Sequence, residues 1–182
     1  MNRILFIFLS SFLMACGNEA ENTPTEEETF EPIPFFEFNE VDHYAIKISE
    51  AEIWELGEID SGQANYEFNR VLTYNYPDEL KDTAFLDRLK GMGYVKKAIP
   101  SEKHPQLDSL FSEKKHAEFY QFMCIPEYRD ILVFKDNDKT VGLAKICFSC
   151  DESHILGAQA NTKMFGMSGD YSKLWHVLYG DE

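Results

Sequence analysis

The sequence predicts a small single α+β domain: an antiparallel sheet with a hairpin in its C-terminal half, packed by two or three helices. Three observations carry that expectation. Two β-rich runs, Asp130–Lys135 and Thr140–Phe148, flank the polar turn Asp136-Asn137-Asp138-Lys139. Asn and Asp tolerate the positive φ that a tight hairpin turn needs. Near the C-terminus, Tyr171, Leu174, Trp175 and Leu178 fall at i, i+3, i+4 and i+7, one apolar helical face. Between these ends, strand and helix patterns mix without regular βαβ alternation, which favours α+β over a doubly wound sheet.

The elements follow in order. His43–Ile48 alternates and reads as a strand. Ala51–Ile59 fits a short helix through Ile53, Trp54 and Leu56, and also permits a strand. Phe68–Tyr76, with Val71, Leu72, Tyr74 and Tyr76, reads as a strand. Asp82 is placed to cap a helix that buries Phe85, Leu86 and Leu89 and ends at Gly91 or Gly93. Tyr94–Ile99 reads as a strand. Pro105 suits the first turn of a helix with Leu107, Leu110 and Phe111 on one face. Ala117–Cys124 reads as a strand, then comes the hairpin. The last helix starts near Gly169, with Ser168 or Asp170 as its cap.

The folded domain is expected to span residues 39–182. Residues 16–38 read as an acidic tether. Asn18, Glu19, Glu21, Asn22 and the run Glu26-Glu27-Glu28 have almost nothing to bury, and their like charges keep the chain extended. Phe35-Phe36-Glu37-Phe38, after Pro32 and Pro34, marks where the tether docks on the domain.

Residues 1–15 differ in kind. Arg3 precedes an apolar run, Ile4–Met14, with nine apolar side chains and two serines. A membrane-spanning helix needs about 20 apolar residues. The run instead matches the apolar region of a secretory signal peptide. The next residues, Leu13-Met14-Ala15-Cys16, resemble the lipobox of bacterial lipoproteins. The resemblance implies cleavage after Ala15, diacylglycerol on the Cys16 thiol and Cys16 as the new N-terminus. It also implies a lipid-anchored protein of the bacterial cell envelope. In a Gram-negative host that is the outer membrane, on its periplasmic or surface face, because Gly17 rather than Asp follows Cys16. The membrane, reached through the lipid, is then the one partner the sequence names.

Composition excludes some partners. The formal charge of the 182 residues is −15, and removing Arg3 with residues 1–15 takes it to −16. Nucleic acids and anionic bilayers attract Lys/Arg stripes, so neither is an expected partner. Gly-rich phosphate loops, G-x-S-x-G and H-E-x-x-H are missing from the sequence. The expected role is therefore an accessory or binding domain rather than an enzyme, with no cofactor assigned.

Acylation of Cys16 leaves Cys124, Cys147 and Cys150. Four readings compete for them. In an oxidising compartment, Cys124 pairs with Cys147 or Cys150 and ties the approach to the hairpin; one thiol is left over. Alternatively, Cys124, Cys147, Cys150 and His154, spaced C-x₂₂-C-x₂-C-x₃-H, form a Cys₃His zinc site. A thioredoxin-like centre is the third reading. Asp151 and Glu152 oppose a thiolate there, and Lys145, on the strand face of Cys147, is the nearby cation. The fourth is plain buried thiols, which behave as small hydrophobes. Covalent haem is excluded, since position 151 is Asp where Cys-x-x-Cys-His is required.

The run Cys124-Ile125-Pro126-Glu127-Tyr128-Arg129-Asp130, the strand Ile131–Phe134, and Ile146-Cys147-Phe148-Ser149-Cys150 together resemble a pattern in uncharacterised bacterial proteins. The resemblance implies a linked three-cysteine unit and names no substrate. Arg129 and Asp130, where the approach meets the hairpin, are binding candidates, with Arg129 suited to a carboxylate; a local ion pair is the competing reading. His43, His104, His116 and His176 have no Ser or Cys partner at a telling local spacing, and His116 with Glu118 would share a face if on a strand.

Overall fold

The computed structural model describes residues 30–56, 65–120 and 123–180. Cys16, the apolar leader and the acidic part of the tether lie outside the described residues. Five strands form one antiparallel sheet: β1 Glu40–Ala45, β2 Val95–Ala98, β3 Asp130–Asp136, β4 Lys139–Cys147 and β5 Glu152–Leu156, in the order β2-β1-β3-β4-β5. Four α-helices, α1 Glu50–Leu56, α2 Tyr66–Thr73, α3 His104–Leu110 and α4 Asp170–Tyr179, join 3₁₀ turns at Leu80–Arg88 and Ser101–Lys103. The α+β expectation holds.

Alternation along β3 and β4 explains the layers. Leu132 and Phe134, with Ala144 and Ile146, face one side and pack on Leu107 and Leu110 of α3 and on Leu174 and Val177 of α4. Ile131, Val133 and Leu143 face the other side and pack on Val71 of α2, Phe85 and Leu89. The sheet is therefore apolar on both faces and lies between two helical layers. The β3–β4 turn is the predicted one: Asn137 and Asp138 have φ of 48° and 65°, two positive values as a two-residue I′ turn requires.

Several elements depart from the sequence expectation. Residues 68–73, expected as strand, belong to α2, because Phe68, Val71 and Leu72 sit at i, i+3 and i+4 and only Tyr74–Tyr76 leave the helix. α1 resolves the ambiguous segment through a capping box. The Ser49 amide donates to Glu52 Oε2 at 2.8 Å, and the Glu52 amide donates back to Ser49 Oγ at 3.3 Å. Around Asp82 the helix is a 3₁₀ turn that begins at Leu80 after extended Glu79, so Asp82 lies inside it and is not its cap. The described part of Ala117–Cys124 is no strand. Both flanks of the hairpin are already occupied, by β1 beside β3 and by β5 beside β4, so no free edge remains for it. Gly169, at φ 71°, precedes α4 in place of the expected Ser168 or Asp170 cap. The Asp170 carboxylate instead accepts the Gly166 amide at 2.9 Å.

The folded unit also begins before residue 39. Phe35 and Phe36 are buried in the α3/α4 core, and the Phe35 amide donates to Phe111 O at 2.7 Å. Phe36 stacks on Phe134 at 4.4 Å between ring centroids. It reaches that place only because β4 carries Gly142 there. A Cβ on Gly142 would stand 2.3 Å from Phe36 Cδ1. We expect Gly142→Ala to cost about 1–3 kcal/mol of stability, the usual cost of overpacking, read as a lower urea midpoint. Glycine-to-alanine changes without a clash go the other way. Phe36→Leu in the same chain should recover part of the loss; no loss, or no recovery, contradicts this packing.

Candidate functional site

The three cysteines converge where β4 turns into β5. Cys124 and Cys150 stand paired at disulfide distance, with Cα atoms 6.1 Å apart. Cys147 is the free thiol, fully buried against Tyr128 and Cys150. Its sulfur accepts the Glu127 amide at 3.2 Å and lies 3.3 Å from Ser149 Oγ. His154 does not join them. Its Nε2 donates to Pro77 O at 2.7 Å, and burial pushes the imidazole below its ordinary value. Among the described residues no group of three or more His, Cys, Asp or Glu side chains is placed to hold a metal ion. The four residues of the zinc reading are thus split between a disulfide, a buried thiol and a backbone contact.

Lys145 shares the strand face of Cys147, as the sequence suggested, but does not serve the thiol. It is fully buried. Its Nζ donates to Tyr74 O at 2.6 Å and to Tyr76 O at 2.8 Å, and sits 4.3 Å from the Tyr128 ring centroid. Burial, with the Arg70 charge second, pushes this amine down to about 6. A neutral amine has two hydrogens, and here two carbonyls take them. The residue fastens the 74–77 loop to the sheet.

Arg129 and Asp130 are adjacent in sequence and separate in role. The Asp130 carboxylate is buried and accepts His43 Nε2–H at 2.7 Å and the Tyr179 hydroxyl. That pair of bonds joins β1, β3 and α4. Arg129 turns outward. One Nη meets Glu127 Oε2 at 2.7 Å, while Nε, buried, has no hydrogen-bond partner. The expected local pair between Arg129 and Asp130 is therefore not formed; Glu127 takes that place.

Arg129 lines an open cleft of about 770 Å³ at the end of the sheet, with Ile46, Ile48, Phe148, Trp175 and Tyr179. An adjoining depression of about 450 Å³ shares Arg129, Phe148 and Trp175. Trp175, expected in the core, is 49% exposed. It is held upright by Phe148 at 5.2 Å and Tyr179 at 4.5 Å between centroids, and forms a wall of the cleft. The arrangement sets an aromatic wall beside a guanidinium with donors to spare, the combination that holds an apolar body and an anionic group.

Two residues found only in space are His116 and Ser168, whose Nε2 and Oγ are 2.8 Å apart. No carboxylate among the described residues hydrogen-bonds His116, so the pair lacks the orienting acid of a nucleophile triad. Trp175 was also missed as a special position, and Lys145 was singled out only as a cation near Cys147, not as the fastener of the 74–77 loop. No family model matches the chain, and no curated protein or solved structure is significantly similar to it.

Proposed function

We propose that this protein is a lipid-anchored component of the bacterial envelope whose domain binds a small ligand or chain end carrying a carboxylate and an apolar group, without transforming it. Leu13-Met14-Ala15-Cys16 supports the anchor. The observation that carries the binding role is the Arg129 cleft, of about 770 Å³, within the size range of small-molecule sites. Phe148 and Trp175 receive the apolar part; Arg129 meets the carboxylate with the N–H groups that Glu127 leaves over. Asp130 is not a ligand contact in this reading. It holds β3 against α4 through His43 and Tyr179 and so fixes where Arg129 begins. The Cys124–Cys150 pair braces the far side of the same segment.

Calorimetric titration with 3-phenylpropionate, an aromatic ring with one carboxylate, checks the reading. Losing a charge-assisted hydrogen bond costs about 1.5–3 kcal/mol, so Arg129→Gln should weaken binding roughly 10- to 100-fold. The neutral alcohol 3-phenylpropanol should bind wild type and Arg129→Gln equally. Equal affinity of both proteins for the carboxylate would remove the proposal.

A further inference from the structure

We infer that Cys124, Cys147 and Cys150 form a thiol–disulfide exchange unit, in which Cys147 can displace Cys124 from Cys150 and present the Cys124 thiol to external disulfides. The inference stands on the cysteine geometry and is independent of the cleft. Cys147 closes β4, and Cys150 follows it in the tight turn before β5, where Asp151 reverses the chain at φ 50°. The two side chains pack together with Tyr128. A buried thiol thus shares one small cluster with an end of the disulfide, three residues along the chain. The disulfide's other end, Cys124, lies in an exposed stretch between Met123 and Ile125, which are 104% and 77% exposed.

The chemistry follows from that asymmetry. The Cys147 thiol loses its proton, and its sulfur attacks Cys150 Sγ. The Cys147–Cys150 bond forms as the Cys124–Cys150 bond breaks. The electron pair of the broken bond leaves with Cys124 Sγ, which takes a proton from water. Nothing is oxidised or reduced overall, so no co-reactant is needed. Two polar neighbours hold the attacking sulfur in place: the Glu127 amide, 3.2 Å from Cys147 Sγ, and the Ser149 hydroxyl, 3.3 Å away. The leaving sulfur is at the surface. It passes from a bonded to a free thiol without burying a charge. The exchanged protein carries a surface thiol that a small disulfide such as cystine can cap. That step forms Cys124–S–S–R and releases RSH, with one disulfide consumed and one formed.

The test is residue-specific alkylation of the native protein, with its whole chain from residue 16 onward. In the structure the only free thiol among the described residues is buried Cys147. Iodoacetamide on the native protein, followed by peptide mapping, should nevertheless place the label on Cys124. Label on Cys147, or no label until the protein is unfolded, overturns the inference. Cys147→Ser should abolish native labelling of Cys124, and continued labelling in that variant also overturns it. Should Cys147→Ser fail to fold, Cys124→Ser serves. Mild oxidation with diamide should then leave no free thiol among Cys147 and Cys150 after unfolding, whereas two free thiols sink the inference.

Discussion

Cys16→Ser is expected to release the protein from the membrane altogether. Without the Cys16 thiol the only other apolar segment is the run Ile4–Met14, which is too short to span a bilayer. Among the described residues, no helix is long and apolar enough to cross a membrane. In the proposed anchoring, attachment then rests on acyl chains at residue 16. Each buried CH₂ contributes about 0.8 kcal/mol, and one chain alone holds weakly while two or more hold for the life of the protein. The net charge of −15 gives no electrostatic attraction to anionic lipid that would substitute for the chains. Wild type should therefore stay in the membrane pellet through a carbonate wash, and Cys16→Ser should appear in the supernatant. Retention of the variant in the washed pellet contradicts the anchor.

The second large effect belongs to Lys145. Its folded-state value of about 6 lies far below the roughly 10.4 of an unfolded lysine. Between those values the unfolded chain holds a proton that the folded chain lacks. Raising the pH through that window therefore favours folding, by up to about 1.4 kcal/mol per pH unit. Below about pH 6 both states are protonated and the slope from this group vanishes. Methionine has nearly the same length and no charge. Lys145→Met removes the titration and leaves Tyr74 O and Tyr76 O without their donor, a loss of about 1–3 kcal/mol for each carbonyl that stays dry. In urea unfolding of the mature chain bearing Cys16→Ser, the stability difference between wild type and Lys145→Met should widen in favour of wild type from pH 6.5 to pH 9. The upper bound on that widening is roughly 3 kcal/mol. Curves that run parallel across this range contradict a neutral, buried Lys145.

How much of this was legible in the residues depends on how local the signal is. The β3–β4 hairpin was readable because Asn137 and Asp138 supply both positive φ values within one turn. α3 was readable from Pro105 and its three apolar neighbours, and α4 from its stripe. α2 was misread because Val71, Leu72, Tyr74 and Tyr76 are all residues that strands favour. Its helical spacing matters only once Val71 and Leu72 have a sheet and α1 to pack against. β5 escaped notice because Glu152, Ser153 and His154 carry no apolar alternation, and its pairing with β4 is what makes it a strand. β1 and β5 hold the two positions beside the hairpin, so neither is left for Ala117–Cys124. The cysteine unit was half legible. A pairing of Cys124 with Cys147 or Cys150 was expected, but the choice of Cys150 was not legible, and the strand that was to bring Cys124 beside the hairpin is not one. The cleft was not legible, since Ile46, Arg129, Phe148 and Trp175 come from four separate stretches of chain. Of its lining only Arg129 and Asp130 were singled out beforehand, and Arg129 pairs with Glu127 rather than with Asp130.

In the proposed binding mode, ligands settle at Arg129 against Trp175. Two tryptophans make it directly readable, because Trp54 lies in a different groove, with Ile53, Tyr74 and Ile125. In nitrogen–proton NMR spectra of the mature chain bearing Cys16→Ser, 3-phenylpropionate should shift the Arg129 Nε–H and the Trp175 indole N–H together. Both should saturate at one concentration while the Trp54 indole stays in place. Movement of Trp54 with Trp175 and Arg129 unmoved, or no saturable shift at Arg129, would contradict the claim.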